Sequence, residues 1–299
     1  MKPMQKSLQT KVVCFGEVLW DVFPNHKKVG GAPLNVALRL QSFGISTHMI
    51  SRIGNDENGN QLLQFINDHN LNTDEIQIDD NFKTGVVNIS LNQNGSATYE
   101  IEYPVAWDKI NLTNSNIEIV KSSDALIFGS LACRDSITKN TLNSLLPYAK
   151  YKVFDVNLRP PYYKMDLIMS LMKEADFIKC NDDELDELCI FLKFKSTSLE
   201  NQILFLSKET NTNHICVTKG ENGAALYFNN QFFKNKGYPV KVVDTVGAGD
   251  SFLATLIANL LSKKDPNNAL KNACAVGALV ASKEGANPKL LQSEILNLI

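Results

Sequence analysis

The chain has 299 residues, 44 % of them hydrophobic and 21 % charged, with a formal net charge of -2. That length is enough for one large α/β domain or two smaller ones around a substantial core. Lys and Arg are scattered, which leaves no electrostatic footprint for nucleic acid or an acidic membrane surface and makes a small molecule the expected partner.

Lys11 to Gly16 reads as a buried strand, and Val18 to Phe23 as an extended segment that carries Asp21 in apolar company. Gly30-Gly31-Ala32-Pro33 breaks the chain, after which Leu34, Ala37, Leu38 and Leu40 recur at helical spacing up to Gly44. His48 to Ile53 is expected as a strand, Glu57 to Asp68 as an amphipathic helix and Ile76 to Ile78 as a short extended piece. This β-α-β-α run argues for a parallel sheet covered by helices. The period then changes to two: Val87, Ile89 and Leu91 alternate, Asn94-Gly95 supplies hairpin chemistry, and Ala97, Tyr99, Ile101 and Tyr103 alternate again. A lone hairpin is marginal in water, so it is expected to join Val18 to Phe23 in a small separate sheet. That sheet would be a discontinuous β lid, approximately residues 18–29 and 83–107, inserted in a single domain spanning 1–299. The alternative is an antiparallel extension of the main sheet edge.

After Trp107 the alternation resumes with strand Ala125 to Gly129, helix Thr138 to Ala149, strand Lys152 to Val156, helix Met165 to Lys173 and strand Asp176 to Lys179. Helix Asp182 to Phe191 and strand His214 to Thr218 follow, then a hairpin of Ala224 to Phe228 and Gln231 to Lys234 around Asn229-Asn230. Right-handed crossovers make this one doubly wound, mostly parallel sheet flanked by helices. Lys241 to Val243 is expected as a strand, Gly247-Ala248-Gly249 as a turn and an apolar helix from near Asp250 to Leu261, followed by a helix from Asn268 to Ser282. No internal repeat, low-complexity stretch or domain linker interrupts the chain.

Cys14, Cys133, Cys180, Cys189, Cys216 and Cys274 have no Cys-x-x-Cys spacing and read as buried free thiols. The four histidines lack ligand spacing, so no zinc site or histidine-based centre is suggested. Met1 to Thr10 lacks the apolar core of a signal peptide, and no apolar run approaches the ~20 residues of a membrane span. A soluble cytoplasmic protein is expected.

A strand, a glycine turn and a helix at Val242 to Leu261 place unpaired N–H groups at a helix N-terminus, where an anion such as phosphate is held. Asp250, just after the glycines, can accept a proton from a hydroxyl beside that anion, as phosphoryl transfer to an alcohol requires. On stability grounds alone it would be a helix cap. A dinucleotide fingerprint fits poorly, because Phe252 stands where the third glycine belongs and Asp250 would face the pyrophosphate. A Walker-type loop and the protein-kinase motifs are absent.

Ligands of open α/β sheets bind beyond the carboxyl ends of the strands. Polar clusters recur there: Asn157 and Arg159, Asn181 and Glu184, and Thr218-Lys219-Gly220-Glu221. Each alone is explained by turn chemistry or capping, but together with Gly247 to Asp250 they point to one shared site. Arg159 can offset charge on a transferring phosphoryl group, Asn181 and Glu184 suit water-mediated magnesium binding, and Asp21 and Asn35 can bond several hydroxyls of a polyol.

Asp244-Thr245-Val246-Gly247-Ala248-Gly249-Asp250, supported by Gly30-Gly31-Ala32-Pro33-Leu34-Asn35-Val36-Ala37, Asn181-x-x-Glu184 and Thr218-Lys219-Gly220, resembles the ribokinase-like family of carbohydrate kinases over essentially the full length. The Gly-Gly-Ala-Pro form and the opening Gly-Glu-Val-Leu-Trp-Asp-Val-Phe-Pro look most like fructokinases. The resemblance implies ATP-dependent phosphorylation of a sugar hydroxymethyl group, with Asp250 as base, the amides from Gly247 through Ala248 and Gly249 to Asp250 as anion hole, and Arg159 near the transferring group. It further implies sugar binding by Asp21, Gly30, Gly31 and Asn35, and nucleotide binding by Asn181, Glu184, Thr218, Lys219, Gly220 and Asn272. Mg2+ would be held through water by Glu184. A monovalent-cation site for K+ would involve Asp244 and Val246, completed by carbonyls near Ser282 to Gly285. D-fructose is the expected substrate; another sugar, sugar acid or nucleoside is the alternative, followed by an inactive sugar-binding protein and an NAD-dependent enzyme. The lid has apolar residues on both faces, so its outer face is expected to pair with a second subunit in a homodimer.

Overall fold

A computed structural model describes residues 10–91 and 97–299. The elements run in order β1 (Lys11–Phe15), β2 (Leu19–Val22), β3 (Lys27–Gly30), α1 (Ala32–Ser42), β4 (Ser46–Gly54), α2 (Glu57–Asp68), β5 (Ile76–Asp79), β6 (Gly85–Leu91), β7 (Ala97–Ile101), α3 (Asn114–Ser122), β8 (Ala125–Gly129) and α4 (Ser136–Leu145). The second half comprises β9 (Lys152–Asp155), α5 (Met165–Glu174), β10 (Phe177–Asn181), α6 (Asp182–Phe191), α7 (Leu199–Thr210), β11 (His214–Thr218), β12 (Ala224–Phe228), β13 (Gln231–Asn235), α8 (Ala248–Leu261), α9 (Pro266–Ala281) and α10 (Gln292–Leu298). The Asn94-Gly95 turn and Met1 to Gln9 lie outside the described residues.

Nine strands form the main sheet in the order β13-β12-β11-β10-β9-β8-β1-β4-β5, parallel except where β12 and β13 fold back as a hairpin. Successive side chains of a strand point to opposite faces. Accordingly Val12 and Cys14 of β1 join a core with Leu34, Leu62, Leu253 and Ala273 from α1, α2, α8 and α9. Val13 and Phe15 join the opposite core with Leu142, Met172, Leu188 and Ile203 from α4 to α7. Both faces are therefore covered, as a parallel sheet requires. All six cysteines are buried and free. Among the described residues no helix is long and apolar enough to cross a membrane.

The second sheet, ordered β3-β2-β6-β7, is separate from the main one rather than an extension of its edge. Leu19, Val87, Ile89 and Ile101 pack against Leu131 and Trp107. The other face of β2 is partly covered by the chain itself: Trp20 Nε1 donates to Asn58 O over 2.9 Å and Lys27 Nζ stands 4.3 Å from the Trp20 ring centroid.

Several expectations are corrected. Lys241 to Val243 forms no strand: Val242 and Val243 are exposed, and Val243 N donates to Ala281 O at the end of α9. The β-branched run has no strand to pair with, and tertiary context overrides its propensity. Lys27–Gly30, within the 18–29 part of the expected lid, forms its own strand β3; α3, α7 and α10 have no counterpart in the sequence analysis.

Candidate active site

From β1 the chain winds outward through β4 and β5 on one side and through β8 to β11 on the other. The cleft beyond the carboxyl ends of β1 and β8 is thus the topological switch point, where doubly wound sheets bind ligands. Helices α1 and α8 present their N-termini to this cleft.

Gly247 caps α8 at φ 74 with no side-chain bond to the first turn, and Ser251 N donates to Gly247 O over 2.8 Å. A Cβ at Gly247 would strike Ala286, so both conformation and packing demand glycine. The N–H groups of Gly249 and Asp250 have no acceptor among the described residues. They leave an anion-binding end on a 14-residue helix. Asp250 lies half-buried in the first turn, and Asn35, 4 % exposed in the first turn of α1, donates from Nδ2 to its Oδ2 over 2.8 Å. Asn287 Nδ2 in turn donates to Asn35 Oδ1, also over 2.8 Å. Burial, with the nearby Asp155 charge, pushes the Asp250 carboxyl up to about 6, against the Asn35 bond and the cations Lys179 and Arg159.

Two further carboxylates share this field. Asp21 on β2 is raised to about 6, chiefly by burial, with Arg159 pulling it down and Asp250 pushing it up. Its carboxylate lies directly over Gly30, where any Cβ would collide with it. Gly31 caps α1 at φ 107, and a Cβ there would strike Glu17 O. Glu17 itself is 2 % exposed, its Oε2 has no hydrogen-bond partner, and burial raises it to about 7. The Arg159 guanidinium, exposed in the loop after β9, acts on Glu17, Asp21 and Asp250 alike. Glu17 receives no role of its own from the sequence, because a single acid between two apolar strands has no spacing that marks it as a site residue.

Beneath the turn lies an ion pair that the sequence reading also missed. Lys179 Nζ donates to Asp155 Oδ1 over 3.0 Å, both side chains being buried. A Cβ on Gly249 would stand 3.5 Å from Lys179 Nζ. Burial disfavours the Lys179 charge, but Asp155, Glu184 and Asp250 hold its proton affinity above the usual lysine value. A lysine and an acid inside apolar strand runs were the available signal.

Asn181 and Glu184 form the capping box of α6: Asn181 Oδ1 accepts from Glu184 N over 2.7 Å, and Glu184 Oε2 accepts from Asn181 N over 2.8 Å. Glu184 Oε1 also accepts from Leu158 N over 2.8 Å, tying the Arg159 loop to this turn. Thr218 ends β11, Lys219 N bonds Gly223 O and Gly220 adopts φ 53. Asn272 is not brought to this group. Its Nδ2 donates to Asn259 Oδ1 on α8, whereas Cys274, two residues on, is the α9 side chain that feels the Lys219 charge.

Asp244 Oδ1 accepts from Val246 N and Oδ2 from Gly285 N, which joins the turn before α8 to the 282–285 segment. Lys28 Nζ on β3 lies 3.5 Å from Asp244 Oδ2 and 3.3 Å from Glu284 Oε1. The structure thus gathers Asp21, Gly30, Gly31, Asn35, Arg159 and Gly247 to Asp250 around one cleft, with Asn181, Glu184 and Thr218 to Gly220 at the neighbouring strand ends.

Residues 6–293 match the model of the pfkB family carbohydrate kinase. Fructokinase-2 of Oryza sativa subsp. japonica is 28 % identical over 309 residues, covering 93 % of this chain and 90 % of that protein. A sugar kinase of Pyrococcus horikoshii, solved in complex with ATP, superposes with a TM-score of 0.79 at 25 % identity over 96 % of this chain and 100 % of that one. The fold is also that of a Vibrio cholerae O395 fructokinase solved with fructose, ADP and calcium ion (TM-score 0.83, 24 % identity, 97 % and 99 % coverage).

Proposed function

Because the chain belongs to the pfkB family of carbohydrate kinases, phosphotransferases that act on a sugar hydroxyl, we propose that it transfers the γ-phosphoryl group of ATP to D-fructose. The observation that carries the reading is the 2.8 Å bond from Asn35 to Asp250, which couples the sugar-side helix end to the anion-binding turn. Fructose is supported by the Gly30 to Pro33 turn, by the Gly16 to Pro24 opening and by relatives that bear the fructokinase name.

In this reading Asp21 and Asn35 bond the sugar hydroxyls while the close approach of backbone at Gly30 and Gly31 shapes the pocket floor. Asp250 takes the proton from the attacking hydroxymethyl oxygen, which probes the side of the turn where Asn35 holds the carboxylate. The Gly247 to Asp250 amides and the α8 dipole receive the charge of the phosphoryl group in flight, and Arg159 offsets it from the solvent side. Asn181, Glu184, Thr218, Lys219 and Gly220 are assigned to the nucleotide.

Among the described residues no group of three or more His, Cys, Asp or Glu side chains is arranged to hold a metal. Mg2+ is assigned to the nucleotide phosphates, on which it keeps its waters, with Glu184 and Asn181 accepting from those waters. When bound, the ion neutralises phosphate charge. A monovalent cation, K+ by preference, is assigned to Asp244 and the Val246 carbonyl, where it would stiffen the turn. The second sheet serves as a lid, and through its exposed Tyr99 it forms a homodimer that sedimentation equilibrium would detect; a monomer at every concentration would remove that element.

A panel of sugars with ATP and magnesium, followed by ADP release, tests the reading. D-fructose is expected to give the highest kcat/KM. A ribose, nucleoside or sugar-acid substrate that clearly exceeds it would overturn the substrate while leaving the family chemistry in place.

A further inference from the structure

Helices α1, α8, α9 and α10, the end of α2 and the 287–290 segment line an open cavity of about 940 Å³ whose lining includes none of the Gly247–Asp250 turn, the Thr218–Gly220 loop or Asp21. It is within the ~300–1,000 Å³ typical of small-molecule sites. Arg39 of α1 reaches it while only 3 % exposed. Its Nε donates to Ser251 Oγ over 3.1 Å and its Nη2 to Pro288 O over 3.0 Å. Both acceptors are neutral. Among the described residues no carboxylate lies within ion-pair distance of Arg39, and no acceptor meets its Nη1.

A buried guanidinium without a counter-charge is costly, and proteins resolve this with an acidic partner or a bound anion. Burial lowers the Arg39 pKa only to about 10, so the group remains a cation at neutral pH. The other cations of the lining, Lys264 and Lys289, are exposed and, among the described residues, form no ion pair. Against these three stands one carboxylate, Asp68, which accepts from Gln64 on its own helix. Guanidinium groups favour oxyanions they can grip with two parallel N–H bonds, and three positive charges against one suit a dianion.

We propose that this cavity binds a small phosphomonoester, whose oxyanion supplies the counter-charge that the buried Arg39 lacks and is met at the rim by Lys264 and Lys289. The site is separate from the sugar and nucleotide cleft and does not depend on the kinase reading. It nevertheless adjoins it, since Arg39 grips Ser251, next to Asp250, and Pro288, next to the Asn287 that holds Asn35.

Titration calorimetry with inorganic phosphate and, separately, glycerol 3-phosphate tests this, with ADP and magnesium present so that the anion-binding turn of α8 is filled. The intact protein is expected to show one saturable event and a thermal midpoint that rises with ligand, because a ligand that binds only the folded state stabilises it. The double variant Lys264→Ser/Lys289→Ser should weaken the event about tenfold, as the loss of two partly exposed ion pairs implies. Arg39→Gln should abolish it; should that variant fail to fold, the rim variant still decides. Tighter binding of glycerol 3-phosphate than of phosphate identifies an organic phosphomonoester, and equal binding identifies the free ion. Absence of saturable binding with both probes, or binding unchanged in a folded rim variant, overturns the proposal. Phosphate binding that persists unchanged in the rim variant would belong to the α8 turn and not to this cavity.

Discussion

Asn35 Nδ2 and Asp250 Oδ2 meet at 2.8 Å, although 215 residues separate them in the chain, because each stands in the first turn of a helix whose N-terminus opens on the same cleft. The bond fixes one carboxylate oxygen of Asp250 and leaves the other for a substrate hydroxyl. Asp250→Asn keeps the shape and an acceptor for Asn35 but removes the proton acceptor, so fold and ATP affinity should change little. General-base catalysis contributes ~10²–10⁴-fold, and kcat should fall by at least that order while the sugar KM moves far less. A folded variant that keeps more than about a tenth of wild-type kcat would reduce Asp250 to a helix cap.

The acid side of the kcat/KM profile should follow the same carboxylate. Asp250 must be ionised to accept a proton, and its pKa is raised to about 6 by burial and by Asp155. Activity is therefore expected to decline as pH falls through about 6, a midpoint that belongs jointly to Asp250 and its neighbours Asp21 and Glu17. Rate measurements from pH 5 to pH 8 that show no such limb would contradict this assignment.

Glu17 is expected to cost stability at alkaline pH. Its folded-state pKa is raised to about 7 from the ordinary glutamate value of 4.5, so the folded state prefers the protonated form. That contribution is fully present below the unfolded value and is lost as pH rises through about 7. Glu17→Gln removes the titration. Relative to wild type, the variant should gain stability between pH 5 and pH 8, by on the order of 2 kcal/mol. Denaturant titrations at the two pH values read the difference; an identical offset at both would show that the Glu17 carboxyl does not change its protonation on folding.

The parts of the site carried by short segments were legible in the sequence. Gly247 to Asp250 announces itself because a glycine turn, a capping acid and an apolar helix are consecutive, and Gly30 to Asn35 repeats the pattern. Lys179 and Asp155 were not legible as a pair, since their contact depends on β9 and β10 lying side by side, a relation that neither segment encodes alone. The sequence places Asn272 on α9 but does not encode its partner, Asn259 on α8, because that contact depends on the packing of the two helices. Val242 and Val243 carry strand propensity but meet no partner strand, because the sheet already ends at β13. The second sheet was readable from its period of two, and residues 18–29 were placed in it, but β3 was not seen as a separate strand, since Lys27 and Lys28 break the apolar alternation and reach Asn58 and Asp244.

Potassium is expected to raise kcat by ordering the turn that carries the anion-binding amides. Asp244 accepts from Val246 N and Gly285 N, so its carboxylate already joins the two segments whose carbonyls would surround the ion. A bound cation would add charge there without touching substrate. Lys28 brings an ammonium to within 3.5 Å of the same carboxylate, but its side chain is 31 % exposed and the pair is partly screened by water. Two cations near one carboxylate compete, and Lys28→Ala should therefore lower the potassium concentration that gives half-maximal activation. The comparison needs matched ionic strength, with tetramethylammonium as the bulky control that cannot enter a site of carbonyls. Equal kcat in the two salts would remove the cation from the account. Activation that is unaltered by Lys28→Ala would instead place the ion away from Asp244.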